Sequence, residues 1–380
     1  MIAHSLRPTR ADIDLSALAH NLQQVRSCCH AGQGVMAVVK ADAYGHGAVT
    51  ISRALEAEGV EQFAVATLEE GQELRGAGIK RPILVFGGCY PGQEAAFVEY
   101  ALTAALLSLA DVKRLEAFGS AQEKPFLVHI KCDTGMGRVG LLPEEIPQLI
   151  TLLSQSCGLE VRGLMSHLAS ADDLASPVTS DQVRVFREIL DQFKLANITI
   201  AEIHLGSSAG LCAWPLPEAT LVRPGIMLYG GYPSAAFTER LDLRPVMTFS
   251  TQIAQLRTLA AGQGISYGHT HQTRGPTRLA ALPVGYADGY NRLFSNCGEV
   301  LVHGQRVSVV GRVCMDWILV DVTEVADVAV GDRVVLLGSD GEETISAEDW
   351  AEKLDTINYE VFCRISQRVP RYPHSGPFVG

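Results

Sequence analysis

The alternation of short apolar runs with helix-spaced segments across residues 1–243 constrains this chain more than any other feature. Candidate strands end near Lys40, Thr67, Gly87, Ser108, Lys131, His167, Leu205 and Leu228. Between them, 47–59, 68–76, 144–155 and 180–195 space their apolar residues as a helix does when one face meets a core. Eight such units predict an α/β fold, an N-terminal (β/α)8 TIM-type barrel, with an open doubly wound sheet as the alternative. The nearest approach to a dinucleotide fingerprint, Gly32-Gln33-Gly34, lacks its third glycine and precedes its strand instead of following it. From residue 244 the pattern becomes strand-like at 246–256, 277–283, 305–310, 317–321 and 333–337, with Gly, Asp and Asn turns between. A mostly β C-terminal domain over 244–380 is expected, with a short helix opening at Ser346, where Asp349 completes capping-box spacing. The segment Ala11–Leu15 is strand-like as well.

A net charge of −11 argues against nucleic acid or an anionic membrane as the main partner. The longest apolar run, 101–110, is too short to span a bilayer, and the N-terminus lacks an apolar signal-peptide core, so a cytoplasmic location is expected. Nine scattered cysteines without a Cys-x-x-Cys pair read as reduced core residues, not as a disulfide frame or zinc site. Cys28 and Cys29 are adjacent, which suits neither a metal nor an easy disulfide.

Residues 35–47, Val-Met-Ala-Val-Val-Lys-Ala-Asp-Ala-Tyr-Gly-His-Gly, carry the chemistry. An apolar run ends in Lys40, and Gly45 and Gly47 then break the chain into a loop. Either Lys40 snorkels into water, or desolvation leaves part of it as free amine able to form a Schiff base with an aldehyde. Barrel sites sit at the C-terminal ends of strands, and Lys40, Lys131, His167, Ser208 and Arg223 all fall there.

The 35–47 phrase resembles the cofactor-lysine signature of alanine racemases, barrel-type pyridoxal-phosphate enzymes of fold type III. The resemblance continues, in order, at Lys131-Cys132-Asp133-Thr134-Gly135-Met136-Gly137-Arg138, Met165-Ser166-His167, Arg223-Pro224-Gly225-Ile226, Ser266-Tyr267-Gly268, Gly285-Tyr286-Ala287-Asp288-Gly289-Tyr290, Cys314-Met315-Asp316 and Thr356-Ile357-Asn358-Tyr359-Glu360. It implies that Lys40 holds pyridoxal 5'-phosphate and then serves as one base. It implies that Tyr44, Tyr359, Ser208 and the amides of Gly225 and Ile226 bind the phosphate, and that Arg223 contacts the ring nitrogen. Arginine donates there without yielding its proton, which weakens the ring as an electron sink. Racemisation needs a second base on the opposite face, and Tyr267 matches it, tuned through His167 and Arg223. Tyr267 comes from the partner subunit in the family, so a homodimer with shared active sites is implied, as is a place for the N-terminal strand in the β domain.

By the same resemblance, Lys131 is carbamylated and orients Arg138 toward the substrate carboxylate; the alternative is an ordinary ammonium paired with an acid such as Asp133. Met315 contacts the carboxylate through its backbone. Tyr286, Arg292 and Asp316 line the mouth through which substrate passes. His269 and His271 have metal-like spacing in a Gly- and Thr-rich loop, but no metal is expected. Ser207 stands where the family usually has Asn, and Trp317 where a smaller or amide residue is common, which bears on substrate range. The implied activity is interconversion of L- and D-alanine, supplying D-alanine for peptidoglycan. Alternatives are a broader small amino-acid racemase acting on serine, a barrel-type decarboxylase, and a non-catalytic pyridoxal-phosphate-binding protein. Arg223 and Tyr267 argue against the decarboxylase, and the C-terminal β domain with Tyr267 argues against the last.

Overall fold

The computed structural model describes residues 7–376. They form two compact units: Ala19–Ala43 with Ala48–Leu243, and a second made of the N-terminal residues to Leu18, Tyr44–Gly47 and the chain from Arg244 on. Strand β1 (Arg10–Asp14) belongs to the second unit.

The first unit holds β2 (Gly34–Val38), β3 (Gln62–Val65), β4 (Ile83–Val85), β5 (Thr103–Leu106), β6 (Phe126–Lys131), β7 (Leu159–Met165), β8 (Glu202–His204) and β9 (Leu221–Val222). All are parallel, and successive strands from β2 to β8 pair, while β9 pairs with β2. The gap between β8 and β9 is bridged by Thr220 N–H donating to Ile203 O at 2.8 Å and Arg223 N–H to Gly206 O at 2.9 Å. The result is an eight-stranded, nearly closed barrel. Its strands are Val-, Ile-, Leu- and Ala-rich and buried on both faces, as parallel strands with helices outside require. The helix Leu68–Gly76 opens on a full capping box from Thr67 and Glu70, and Pro177–Leu195 opens on the Ser176 cap with proline in its first turn.

The eighth strand is shorter than the sequence implies. It stops at Val222, and Ile226–Tyr229 forms a single 3-10 turn closed by left-handed Gly230. All four residues of that turn are fully buried, so their apolar run matches a strand in pattern but not in conformation.

The second unit contains β10 (Met247–Gln252), β11 (Gln255–Leu259), β12 (Gly264–Ile265), β13 (His271–Gln272), β14 (Thr277–Leu282), β15 (Glu299–Val302), β16 (Gln305–Ser308), β17 (Ile318–Asp321), β18 (Arg333–Asp340), β19 (Glu343–Ile345) and β20 (Arg371–His374). A sheet runs β16-β15-β18-β10-β1-β20, with β1 antiparallel to β10 and parallel to β20. The run 246–256 is two strands in two sheets, because Ile253 N–H bonds Asp332 O and Ala254 N–H bonds Ala281 O where the chain changes partners. The helix Ala347–Leu354 starts on the Ser346–Asp349 capping box.

Candidate active site

In the barrel unit the polar groups gather where the strands end. Val39, the residue before Lys40, donates its N–H to Ala64 O at 2.9 Å, which carries the β2 register to the lysine. The chain then makes a left-handed turn: Ala41, Asp42, Ala43 and Tyr44 all have φ between 52 and 54°. Left-handed helix costs L-residues roughly 1–2 kcal/mol each, so the turn needs holding. Ala43 N–H bonds Val39 O, Asp42 Oδ1 accepts from Ala48 N–H at 2.7 Å, and Glu70 Oε1 accepts from Ala41 N–H at 2.6 Å. The other oxygen of Glu70 accepts from Ala66 N–H at 2.6 Å, so one carboxylate ties the ends of β2 and β3 together beside Lys40. No motif in the sequence marks Glu70 as part of the site; its one signal is the capping-box spacing from Thr67.

Arg223 is buried and hydrogen-bonded only to acceptors. It donates to His204 Nδ1 at 2.9 Å, His167 Nδ1 at 3.2 Å, Ser166 O at 2.7 Å and Leu205 O at 3.1 Å. These contacts fix the tautomers. His204 must carry its proton on Nε2, which faces His129 Nδ1 at 2.8 Å, and His129 Nε2 in turn lies 3.1 Å from Glu202 Oε2. Burial, and then the Arg223 charge, holds His204 well below the ordinary histidine range. Burial followed by Arg223, Arg138, Lys131 and Lys40 pulls His167 down to about 3. Desolvation pushes the Glu202 carboxyl up, but hydrogen bonds from His129 and Gln62 outweigh it and leave it low. Of the chain Glu202–His129–His204–Arg223, sequence reasoning finds only the arginine. A signal exists in Gly163, interior to β7 and paired with both His129 and Glu202. A Cβ there would lie 2.4 Å from His129 Nδ1, so the missing side chain is what lets the imidazole cross β7.

Lys131 is buried at the end of β6, and its ammonium donates to Cys132 O at 2.8 Å. Burial, reinforced by Arg223, lowers its pKa to about 8. Asp133 is not its ion-pair partner among the described residues; that carboxylate accepts from the backbone N–H groups of Gly135, Met136, Gly137 and Arg138. Asp133 thus builds the turn that presents Arg138, whose side chain is exposed.

Ser208 Oγ accepts from Gly225 N–H at 3.1 Å and Met227 N–H at 3.4 Å. Between those two amides sits Ile226, fully buried, whose N–H has no hydrogen-bond partner among the described residues. A buried donor without an acceptor is costly, and an anion would satisfy it.

The remaining candidates belong to the second unit. Tyr44 is buried, with its ring centroid 6.0 Å from that of Tyr359, and burial with the nearby Tyr359 pushes its phenol up. Gly45 follows; a Cβ on it would stand 2.4 Å from Phe362 O, and Arg371 donates to its carbonyl at 3.0 Å. Tyr267 lies on a turn flanked by Ser266 at φ 58° and Gly268 at φ 69°, pinned by Ser266 Oγ donating to Arg312 O at 2.8 Å. Its side chain is 71% exposed. The Met315 and Cys314 carbonyls accept from Ala287 and Tyr286, whereas Met315 N–H has no partner among the described residues. Asp316 accepts from Arg368 at 2.7 Å; Tyr286, Arg292, Met315 and Trp317 are exposed or partly so. No group of three or more His, Cys, Asp or Glu side chains that could hold a metal ion occurs among the described residues.

Two family models cover this arrangement end to end: the alanine racemase N-terminal domain over residues 13–233 and the C-terminal domain over 246–373. The chain belongs to the alanine racemase family. The alanine racemase of Halothermothrix orenii is 45% identical over 368 residues, 96% of each chain. The alanine racemase structure from Clostridium difficile 630 superposes with a TM-score of 0.92 at 37% identity, covering 98% of this chain and 97% of that one. The Bartonella henselae alanine racemase, solved with covalently bound pyridoxal phosphate, gives a TM-score of 0.86 at 29% identity over 97% of this chain and 100% of that one. The racemase barrel and the racemase β domain are thus both present, as the resemblance implied.

Proposed function

We propose that this racemase-family chain interconverts L- and D-alanine with pyridoxal 5'-phosphate, in a homodimer with shared active sites, and supplies D-alanine for peptidoglycan in the cytoplasm. The observation that carries the reading is the barrel-end donor set. It offers an amine for an aldehyde at Lys40, a buried guanidinium at Arg223, and the buried, unsatisfied Ile226 N–H beside Ser208 for a phosphate. That set fits the cofactor, and Tyr44 and Tyr359 would add phenolic donors to the phosphate. When bound, the cofactor delocalises the charge that develops at the substrate α-carbon.

The chain's own residues divide the remaining work. Lys40 would hold the cofactor and then remove or return the proton on one face of the α-carbon. Tyr267 of a second copy would serve the other face. Arg223 would donate to the ring nitrogen without protonating it, because a guanidinium holds its proton far more tightly than a pyridinium does, and neutral His204 and His167 only accept its hydrogen bonds. Arg138 and the Met315 N–H would hold the substrate carboxylate. Neutral Lys131 amine can take up carbon dioxide, and a pKa near 8 leaves a usable fraction neutral at physiological pH. The carbamate would then pair with Arg138. Tyr286, Arg292 and Asp316 would line the substrate path.

Chiral chromatography of alanine and serine after incubation with the purified protein and pyridoxal phosphate tests the activity. The proposal predicts a racemic mixture from either alanine enantiomer. Release of carbon dioxide and amine, or cofactor binding without inversion, would replace it with the decarboxylase or the non-catalytic reading.

A further inference from the structure

Three sulfur atoms meet in the barrel unit outside the chemistry described above. Cys28 is the last residue of the helix Leu15–Cys28, and Cys212 lies in the short helix that begins at Ser208. Their Sγ atoms are 3.5 Å apart, and Cys212 Sγ is 3.6 Å from the Met227 sulfur. Both cysteines are half-buried, so a small oxidant reaches them, and the adjacent Cys29 points away, its thiol donating to Val25 O at 3.3 Å.

We propose that Cys28 and Cys212 are a modification site, a thiol pair that a hydroperoxide closes into a reversible disulfide. Cys28 is the attacking sulfur. The Cys212 thiol donates to it at 3.5 Å, which lowers the Cys28 pKa and raises that of Cys212, while burial raises Cys29 to about 11. The macrodipole at a helix C-terminus disfavours a thiolate, so the reactivity of Cys28 depends on Cys212. In the first step the Cys28 thiolate attacks one peroxide oxygen, the O–O bond breaks, and hydroxide leaves, giving a sulfenic acid. In the second, the Cys212 sulfur attacks that sulfur, the S–O bond breaks, and water leaves as the S–S bond forms. Two thiols and one hydrogen peroxide become one disulfide and two waters (an organic hydroperoxide would give its alcohol in place of one water), and an external dithiol reverses the change.

Closure has a built-in consequence. The sulfurs must approach from 3.5 Å to about 2.05 Å. Cys212 shares its helix with Ser208, and Met227, in contact with Cys212, donates its N–H to Ser208 Oγ. The contraction pulls on the turn that carries the Ile226 amide. Oxidation should therefore weaken anion binding there. This coupling rests on the phosphate-site reading; the disulfide itself does not.

The test treats the reduced protein with hydrogen peroxide and maps its peptides, then titrates pyridoxal phosphate and inorganic phosphate by fluorescence. A Cys28–Cys212 linkage is expected, with loss of two hydrogens, absent in Cys28→Ser and Cys212→Ser and erased by dithiothreitol. Cys28 should be alkylated at pH 7 faster than Cys29, and more slowly in Cys212→Ser. Closure should weaken phosphate-ligand binding about fivefold or more, the low end of measured couplings. If Cys28 and Cys212 both stay alkylatable while exposed Cys157, Cys297 and Cys363 oxidise, or if Cys28 over-oxidises without linking, the disulfide is refuted. A mapped disulfide with unchanged phosphate binding refutes the coupling. Reduced protein that binds neither ligand refutes the phosphate reading instead, with the mapping still deciding the thiol pair.

Discussion

The candidate residues of the barrel unit and those of the β unit are built on opposite physical terms. Arg223, Lys131 and Ser208 are 4, 6 and 2% exposed, hydrogen-bonded, and embedded among neutral imidazoles and carbonyls. Tyr267 and Met315 are 71 and 52% exposed on backbone turns that are themselves rigidly pinned. Burial prepares charges in advance: it keeps His204 and His167 neutral and brings Lys131 down to about 8 before any ligand arrives. The exposed half has its backbone prepared but not its environment. On the proposed reading that environment comes from a second copy, and a phenol left in water is a poor base at neutral pH.

The largest effect should come from the barrel side. Lys40→Ala should lower racemisation by about a thousandfold or more, within the range for a lost acid–base group. Borohydride treatment of the wild type should fix the cofactor on Lys40 by peptide mapping, and label found chiefly on Lys131 would overturn the assignment. Tyr267→Phe should cost about a hundredfold and remove solvent exchange from one alanine enantiomer far more than from the other. Because the side chain is exposed, its unfolding free energy should stay within about 0.5 kcal/mol of wild type. A large loss of stability would show that the phenol is a packed group and blur the contrast.

Gly163→Ala should do the reverse. Its added methyl would meet His129 at 2.4 Å, costing about 1–3 kcal/mol in urea unfolding, whereas Gly76→Ala, with open space around it, should be neutral or stabilising. Equal costs at the two positions would mean the histidine crossing is soft.

A pH-dependent effect concerns Lys131. A pKa lowered from 10.5 to about 8 means that between those values the unfolded chain holds a proton that the folded one has released. Stability must therefore rise with pH across that window, and the full penalty is present below it. The gain should approach roughly 3 kcal/mol, at 1.36 kcal/mol per pKa unit. Urea unfolding of wild type and Lys131→Met from pH 7 to 10.5 in bicarbonate-free buffer checks this. The difference should shrink as pH rises, and parallel curves would contradict a desolvated amine.

Much of the molecule is readable from its residues. The strand-end position of Lys40 and Lys131 follows from eight periodic units, whereas Arg223 stands at a strand end because the eighth strand stops at Val222, and Ser346 announces its helix by cap chemistry. Other features are not, and each has a cause. The left-handed turn at 41–44 uses no glycine in its four residues, so no local propensity marks it; Asp42 holds it from within through Ala48, and Glu70 holds it from 29 residues away. Ile226–Tyr229 looks like strand because burial, not backbone pairing, dictates its composition. The His129–His204 contact joins residues 75 apart, and only β6–β7–β8 register makes them neighbours. The Cys28–Cys212 contact, across 184 residues, is equally out of reach.

On the proposed reading, Lys40 of one chain and Tyr267 of another complete each site. Mixing inactive Lys40→Ala with inactive Tyr267→Ala and allowing subunits to exchange tests it most directly. A mixed dimer would carry both defects in one site and neither in the other. Random exchange makes half the dimers mixed, each with one intact site of two, so activity should return to about a quarter of wild type. Exchange confirmed by native mass spectrometry with no return of activity would place both groups in one chain and contradict the account.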